Sequence, residues 1–246
     1  MTKRTNYTPV YGLVCLVDAL GAKAYSEKDI VDFLKSREVV YQALKDKCED
    51  QVEFRKINDP KLAFFNDTII IALEYDKNSN KAECNSLKAM GIIVRKLISD
   101  GISKKILFRG AIGIGSFFLD LEHDIIIGQA VADAVNWYET PEIIGCILTP
   151  RTGIVLEKHR TIDKKLNRIF LDFDVPLKTG KQKMICINWP KAFFIDSIKP
   201  ENCEKGKELR YLYSKLSENV IPKTTEGKYY NTIDFFICSS NPNVVK

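Results

Sequence analysis

Two stretches of sequence decide the fold: GLVCLVDALGAK at residues 12–23 and KLAFFNDTIIIAL at residues 61–73. In each, one aspartate, Asp18 or Asp67, stands beside apolar and β-branched residues of the kind that form buried strands. Asn66 and Asp67 tolerate tight-turn geometry, which predicts a hairpin with Asp67 at its tip. A carboxylate in apolar surroundings is costly unless a cation or strong donors compensate it. A divalent metal would do so.

The segments around these stretches predict a βαββαβ order. A helix opened by a capping box at Ser26 and Asp29 follows the first strand, and residues 52–57 (VEFRKI) are expected to form a short strand. A second helix is predicted over residues 80–100 and a strand over residues 105–116. This is the ferredoxin-like or palm arrangement of the α+β class. It brings Asp18 and Asp67 together across 49 positions of sequence (67 − 18).

The second half of the chain predicts additions to this palm. Short strands are expected at residues 125–127, 143–148, 169–173 and 183–187, with a helix over 128–139 and a mostly helical tail from residue 204. No Gly/Ser-rich linker separates the halves. We therefore predict a catalytic domain over residues 1–190, with residues 191–246 forming a helical elaboration packed on the same domain.

Composition excludes several classes of protein. The 246 residues carry a net charge of +5, with lysines dispersed rather than clustered as in a nucleic-acid footprint. No apolar run is long enough for a membrane helix and no export signal is evident, so we expect a cytoplasmic protein that binds neither nucleic acid nor a membrane. Seven scattered cysteines without CxxC, and two histidines (His123 and His159) expected in surface or turn positions, argue against a zinc ribbon or a disulfide framework.

Asp18 and Asp67 suggest metal-assisted chemistry on a nucleoside triphosphate. Two carboxylates at one end of a sheet can hold two divalent ions about 3.5–4 Å apart. The turn formed by Ala19, Leu20, Gly21 and Ala22 is small enough for backbone amides to approach a triphosphate, and Lys23 adds a positive charge. The alternative is that Asp18 only caps a turn and Asp67 only occupies a hairpin corner.

Four segments, in order, resemble class III nucleotide cyclases. DALG (18–21) is similar to their first metal motif and FFNDTIII (64–71) to the hairpin of the second metal aspartate, while RGAIGIG (109–115) and GQAVADAVNWYE (128–139) fall at the fourth strand and following helix. The segments are most similar to the pyrimidine cyclases of the bacterial Pycsar antiphage system. The resemblance covers residues 10 to about 190.

This resemblance implies a head-to-tail homodimer that makes a cyclic pyrimidine monophosphate and pyrophosphate. Asp18 and Asp67 would bind two Mn²⁺ or Mg²⁺ ions, with the Ala19 carbonyl as a further ligand. The product would act on a separate effector protein. Uridylate cyclase activity on UTP is favoured. Cytidylate cyclase activity on CTP and a catalytically silent nucleotide-binding domain stay open, whereas a diguanylate cyclase or polymerase palm lacks its GGDEF-like signature.

The chain also departs from the purine cyclases of this class. Their asparagine and transition-state arginine on the helix after the fourth strand correspond to Ala132 and Asn136, and their adenine-reading lysine corresponds to Ala63. These changes argue against adenylate cyclase activity. Asn136 is expected to face the partner's site. Arg109 is a candidate for contacting phosphate or transition-state charge, with a salt bridge to a surface acid as the alternative.

Overall fold

The computed structural model describes residues 8–21, 27–120, 125–197, 207–219 and 225–240. Within them are eight strands and seven α-helices, of which the helix over Pro150–Arg160 was not predicted. The strands are β1 (Val10–Ala19), β2 (Lys61–Phe65), β3 (Thr68–Glu74), β4 (Phe108–Asp120), β5 (Ile125–Gly128), β6 (Gly145–Leu148), β7 (Phe170–Leu177) and β8 (Gly180–Ile187). The helices are α1 (Glu27–Arg55), α2 (Asn80–Ser103), α3 (Gln129–Val135), α4 (Pro150–Arg160), α5 (Pro190–Ser197), α6 (Lys207–Ser217) and α7 (Glu226–Ser240).

The strands form one mixed sheet in the order β2-β3-β1-β4-β6-β8-β7, with β5 paired to the far part of β4. β1 lies antiparallel between β3 and β4, and β6 runs parallel to β4. The first six elements are β1-α1-β2-β3-α2-β4, which confirms the α+β palm fold with additional strands and C-terminal helices.

The two faces of the sheet are covered differently. Alternate residues of β1, Leu13, Cys15 and Val17, join the large core beneath α1 and α2. Their neighbours Val14 and Leu16 belong to a smaller cluster under α3. Since α3 is only seven residues long, this second face has much less helical cover.

Gly113 of β4 explains how α3 lies so close to the sheet. A Cβ at this position would stand 2.4 Å from the Ala130 carbonyl oxygen and 2.8 Å from the Ala134 nitrogen. Gly113 therefore serves the close packing of backbone against the sheet.

Two predicted elements differ from the structure. Residues 52–55 belong to α1, so the predicted strand at 52–57 was wrong; the Arg55 side chain bonds that of Gln51 one turn earlier, and Lys56, at φ 50°, follows the helix end. Phe54, within this segment, is 78 % exposed. α3 ends at Val135 and the chain continues in turns, whereas a helix through residue 139 was predicted.

The C-terminal helices share the core of the sheet. Leu212 of α6 and Phe235 and Phe236 of α7 are fully or almost fully buried in the same cluster as the strands. Phe235 meets Phe173 of β7 edge-on, with ring centroids 5.1 Å apart, and also approaches Trp189. The aromatic-rich segment near the C-terminus is thus a helix that completes the core beside β7 and β8.

The described cysteines and His159 are part of the folded interior or its edge. Every described cysteine is a free thiol, and burial strongly disfavours the thiolate of Cys146, raising its pKa. His159 is buried and bonds the Glu83 carboxylate at 2.8 Å, which corrects its predicted surface position; His123 lies outside the described residues. In the described part of the chain, no helix combines the length and apolar character needed to span a membrane.

Candidate active site

Asp18 lies at the carboxyl end of β1, between two partner strands. It is paired with Thr68 of β3 on one side and Arg109 of β4 on the other, so the three side chains share one face of the sheet. This is the face covered by α3, because Asp18 follows Leu16 at the two-residue period of a strand. Thr68 Oγ1 donates a hydrogen bond to Asp18 Oδ1 at 3.3 Å.

Asp67 occupies the turn between β2 and β3, as the hairpin prediction required. Asn66 before it has φ 53°, the left-handed conformation that asparagine tolerates better than most residues. The Ala19 amide donates to the Asp67 carbonyl oxygen at 3.3 Å, which ties the hairpin tip to the end of β1. The fold therefore brings the tip holding Asp67 to the strand end holding Asp18.

The two carboxylates act on each other electrostatically. Burial raises the pKa of Asp18 from 3.8 to about 6, and the negative charge of Asp67 adds to this rise. The guanidinium of Arg109 and the Thr68 hydroxyl oppose it, without cancelling it. Asp18 therefore stands in a position where its negative charge is poorly compensated by the protein alone.

Arg109 approaches Asp18 from β4, and its side chain is 12 % exposed. Its Nη2 lies 3.8 Å from Asp18 Oδ2, which is longer than a hydrogen bond, while its Nη1 donates to the Glu139 carbonyl oxygen at 2.9 Å. Among the described residues, its buried Nε has no hydrogen-bond partner. The guanidinium thus retains donor capacity beside the aspartate pair.

The Glu139 carbonyl belongs to a connecting segment between α3 and β6, residues 138–144, which we call the strap. The Glu139 side chain accepts a hydrogen bond from the Tyr138 hydroxyl at 3.2 Å and lies 3.9 Å from the Lys178 ammonium. Its charge also contributes to the raised pKa of Asp18. The strap therefore borders the site on the side of β4 and β6.

The residues at this edge fit a divalent cation. Carboxylate and carbonyl oxygens are the ligands that Mg²⁺ and Mn²⁺ prefer, and the mutual repulsion of Asp18 and Asp67 is what a bound cation relieves. Among the described residues there is no group of three or more His, Cys, Asp and Glu side chains that could hold a metal. Within one chain the candidate centre is therefore a two-carboxylate site.

The turn after β1 is described only in part. Leu20 donates its amide to the Leu107 carbonyl oxygen at 2.7 Å, and the Ala19 amide is bonded to the hairpin tip. Gly21 has φ 83°, a conformation that a residue with a side chain rarely adopts. Ala22 and Lys23 lie outside the described residues.

Asn136 does not join the aspartates within one chain. It is exposed at the C-terminal end of α3, and Ala132, one turn earlier, is exposed too. The opposite side of α3 packs its buried residues Ala130 and Ala134 on the sheet. The helix face that carries Asn136 therefore points away from the sheet of its own chain.

Sequence reasoning missed an aromatic and basic group on α1 near the hairpin. Arg37 donates from Nε to the Tyr41 hydroxyl, and its Cζ lies 4.6 Å from the centroid of the Tyr41 ring. Tyr41 stacks on Phe64 of β2 with ring centroids 4.2 Å apart. Burial raises the pKa of Tyr41, and the charge of Asp67 adds to the rise. The spacing of four residues between Arg37 and Tyr41 was the available signal, since such residues meet on one helix face.

Comparison with known sequences gives no assignment: no protein-family model matches the chain. No curated protein matches it either.

Several solved structures resemble the fold at low sequence identity. The adenylyl cyclase CyaB from P. aeruginosa is 10 % identical over 74 % of this chain and 96 % of its own, with a TM-score of 0.45. The adenylate/guanylate cyclase/hydrolase from Silicibacter pomeroyi is 16 % identical over 74 % and 96 %, with a TM-score of 0.43. The non-canonical dimeric guanylyl cyclase domain of a RhoGC fusion protein from Blastocladiella emersonii is 10 % identical over 74 % and 97 %, with a TM-score of 0.48.

Proposed function

We propose that this protein is a nucleotide cyclase that converts UTP into cyclic UMP and pyrophosphate. The ribose 3′-oxygen forms a bond to the α-phosphorus, the bond from that phosphorus to the β-phosphate bridging oxygen breaks, and the 3′-hydroxyl proton leaves to solvent. The observation that carries the proposal is the meeting of Asp18 and Asp67 at one sheet edge beside Arg109. The four ordered cyclase-like motifs support the same reaction.

Asp18 and Asp67 are the proposed ligands of two Mn²⁺ or Mg²⁺ ions, with the Ala19 carbonyl as an additional ligand. When bound, such ions lower the pKa of an attacking hydroxyl and offset charge on phosphate oxygens. Thr68 holds Asp18 in place through its hydroxyl hydrogen bond. The raised pKa of Asp18 reflects the unfavourable carboxylate charge that a bound cation would stabilise.

Arg109 is the proposed contact for the triphosphate oxygens and for charge that develops during the reaction. The Glu139 carbonyl accepts from one of its terminal nitrogens at 2.9 Å, which restrains the guanidinium, while Nη2, 3.8 Å from Asp18 Oδ2, remains to donate. A guanidinium fixed in this way stabilises charge without reorganising during the reaction. In the turn after β1 we assign the phosphate-facing role to Gly21, Ala22 and Lys23, because the amides of Ala19 and Leu20 bond backbone carbonyls.

Arg37 and Tyr41 support the preference for uracil over cytosine, since they lie on the α1 face near the hairpin tip, where the charge of Asp67 acts on Tyr41. An arginine side chain only donates hydrogen bonds, so it pairs with the O4 acceptor of uracil and opposes the N4 amine of cytosine. The stacked rings of Tyr41 and Phe64 offer an aromatic surface beside it. Ala63 of β2 lies on the same face of the sheet as Asp18, opposite to Phe64, and leaves the site without the lysine that reads adenine in purine cyclases.

A homodimer is part of the proposal. The exposed position of Asn136 on the sparsely covered face of the sheet suits a residue that contributes to a second copy's site. Motif similarity to Pycsar cyclases supports a role in antiphage defence, in which cyclic UMP acts on a separate effector. CTP is the alternative substrate.

The direct test is incubation with ATP, GTP, CTP and UTP separately in Mn²⁺, with mass identification of products. We expect cyclic UMP to dominate, from a protein that light scattering shows to be a dimer. Arg37→Met should reduce the preference for UTP over CTP by about tenfold, the worth of one hydrogen bond of about 1.4 kcal/mol. Arg55→Met is the matched control, since Arg55 also lies over an aromatic ring of α1, 5.3 Å from the centroid of Phe54. A cyclic purine product would refute the pyrimidine assignment, and no product would favour a silent domain.

A further inference from the structure

Helix α7 is attached to the strap by three polar side chains on one of its faces. Lys228, Asn231 and Thr232 are spaced i, i+3 and i+4, so they project in the same direction. Lys228 and Thr232 are buried, and Asn231 is partly buried. Polar groups in such positions require partners, and all three find them in the strap.

Each contact fixes a different group of the strap. The Lys228 ammonium pairs with the Glu142 carboxylate at 2.9 Å, and Asn231 Nδ2 donates to the Glu142 carbonyl oxygen at 2.9 Å. The Ile144 amide donates to Thr232 Oγ1 at 2.8 Å, and that hydroxyl donates to the Lys228 carbonyl oxygen at 2.6 Å. Backbone and side chain of the strap are thus both held by α7.

The opposite side of the strap is held by the end of β7. The Glu142 amide donates to the Pro176 carbonyl oxygen at 2.8 Å, and the Lys178 amide donates to the Thr140 carbonyl oxygen at 3.2 Å. The strap is therefore fixed between β7 and α7. Its free edge carries the Glu139 carbonyl that receives the hydrogen bond from Arg109.

We propose that Lys228, Asn231 and Thr232 are positioning residues for Arg109. They act through the strap, by setting the place of the Glu139 carbonyl, and they touch neither aspartate. The buried Lys228 ammonium is costly without its carboxylate, so the pair with Glu142 favours one strap conformation. The kinetic part of this inference rests on the proposed cyclase function, whereas the structural part does not.

The test compares Thr232→Val with Ser99→Ala. Both remove a buried hydroxyl that donates to the carbonyl oxygen four residues earlier in its helix, but the hydrogen bonds of Ser99 join it to other residues of α2. The first readout is the ¹⁵Nε–¹Hε NMR signal of Arg109, assigned by its loss in Arg109→Lys. The second is the split of UTP turnover into kcat and KM in Mn²⁺.

We expect Thr232→Val to shift the Arg109 signal and to lower kcat about tenfold with KM changed less than about threefold, because an interaction made in the transition state is weakened. Thr232→Ser, which keeps the hydroxyl, should restore both values. Ser99→Ala should change neither the Arg109 signal nor kcat, even if it lowers the melting temperature as much as Thr232→Val does. If Thr232→Val does not fold, Asn231→Ala takes its place, since it removes one donor from the strap at a partly buried position.

An Arg109 signal that stays in place in folded Thr232→Val or Asn231→Ala would overturn the proposal. So would an equal shift in Ser99→Ala. If the signal shifts as expected but the wild-type protein makes no cyclic product, the cyclase function fails and the positioning role of α7 stands.

Discussion

Arg109 and Arg160 are two buried arginines whose partners differ. Arg160 Nη1 lies 2.7 Å from Glu157 and 3.0 Å from Asp172, and its Nη2 donates to the Phe170 carbonyl oxygen at 2.9 Å. Arg109 has one carbonyl partner at 2.9 Å and one carboxylate at 3.8 Å. Among the described residues, Nε of both arginines lacks a hydrogen-bond partner, so the difference lies in the terminal nitrogens: both are bonded in Arg160, while Nη2 of Arg109 keeps capacity for a ligand. A buried arginine indicates a binding site only when the protein itself leaves donors of its terminal nitrogens without partners.

The largest expected effect is the loss of activity when an aspartate near Arg109, rather than one near Arg160, is replaced. Asp18→Ala and Asp67→Ala should each lower turnover at least about 100-fold, because one carboxylate cannot hold two ions at the separation that two-metal chemistry needs. Asp172→Ala should leave turnover within about twofold, because Asp172 is half-exposed and pairs with Arg160 rather than with a residue of the candidate site. Initial rates with Mn²⁺ and UTP measure this. Either site variant keeping more than about a tenth of the activity, a barrier change under about 1.4 kcal/mol, would refute the two-metal assignment.

Substituting the two arginines should have opposite consequences: one variant should lose activity and the other should lose stability. Arg109→Lys should lower turnover about 10- to 100-fold with little change in melting temperature, because lysine lacks the planar set of donors. Arg160→Lys should lower stability by about 1–3 kcal/mol and leave the turnover of folded protein unchanged, because the Phe170 carbonyl loses its donor. Melting curves and rates on the same samples test both expectations. Equal behaviour of the two variants would show that the difference in partners has no functional meaning.

The smallest effect concerns pH, and it is confined to Asp18. Its pKa is raised from 3.8 to about 6, so its contribution to stability is fully present below pH 3.8 and is lost as pH rises through 6. In EDTA, Asp18→Asn should therefore gain stability relative to the wild-type protein between pH 4 and pH 7. A shift of this size sets an upper bound of about 3 kcal/mol, and solvent screening of the partly exposed carboxyl lowers the expected difference to about 1 kcal/mol or less. Chemical denaturation across this pH range measures the gap, which is the difference in the free energy of unfolding between Asp18→Asn and the wild-type protein.

Adding Mn²⁺ should reverse the order at pH 7, because a bound cation stabilises the folded wild-type protein and has weaker affinity for the variant. A gap that does not change with pH in EDTA would mean that Asp18 is solvated in the folded protein. A gap that Mn²⁺ leaves unchanged would argue against metal binding at this carboxylate.

The palm was predictable because its signals are local. The apolar, β-branched runs of β1 and β3, the Asn66–Asp67 turn and the apolar stripe of α2 are each read from neighbouring residues, and the βαββαβ order then brings Asp18 toward Asp67. The error at residues 52–57 has the same origin. A short segment with apolar residues at alternate positions resembles a strand, although here residues 52–55 form the last turn of α1.

The surroundings of the aspartates were less predictable because they depend on distant pairing. The stacking of Tyr41 on Phe64 needs α1 placed against β2, and the bond from Arg109 to Glu139 spans 30 positions that include a whole helix. The buried pair of His159 and Glu83 spans 76 positions. No local pattern carries such information, so the sequence predicts the candidate ligands better than the groups that orient them.

The attachment of α7 to the strap also has a consequence for synthesis on the ribosome. Ile144 and Thr232 are 88 positions apart, so the strap is made long before its acceptor. At 5–20 residues per second, roughly 4–18 s pass between the two. During that interval a nascent chain already contains both aspartates and the arginine, while the helix that secures the strap has yet to be translated. Assembly of the candidate site is therefore delayed until residues 228–232 have emerged and packed.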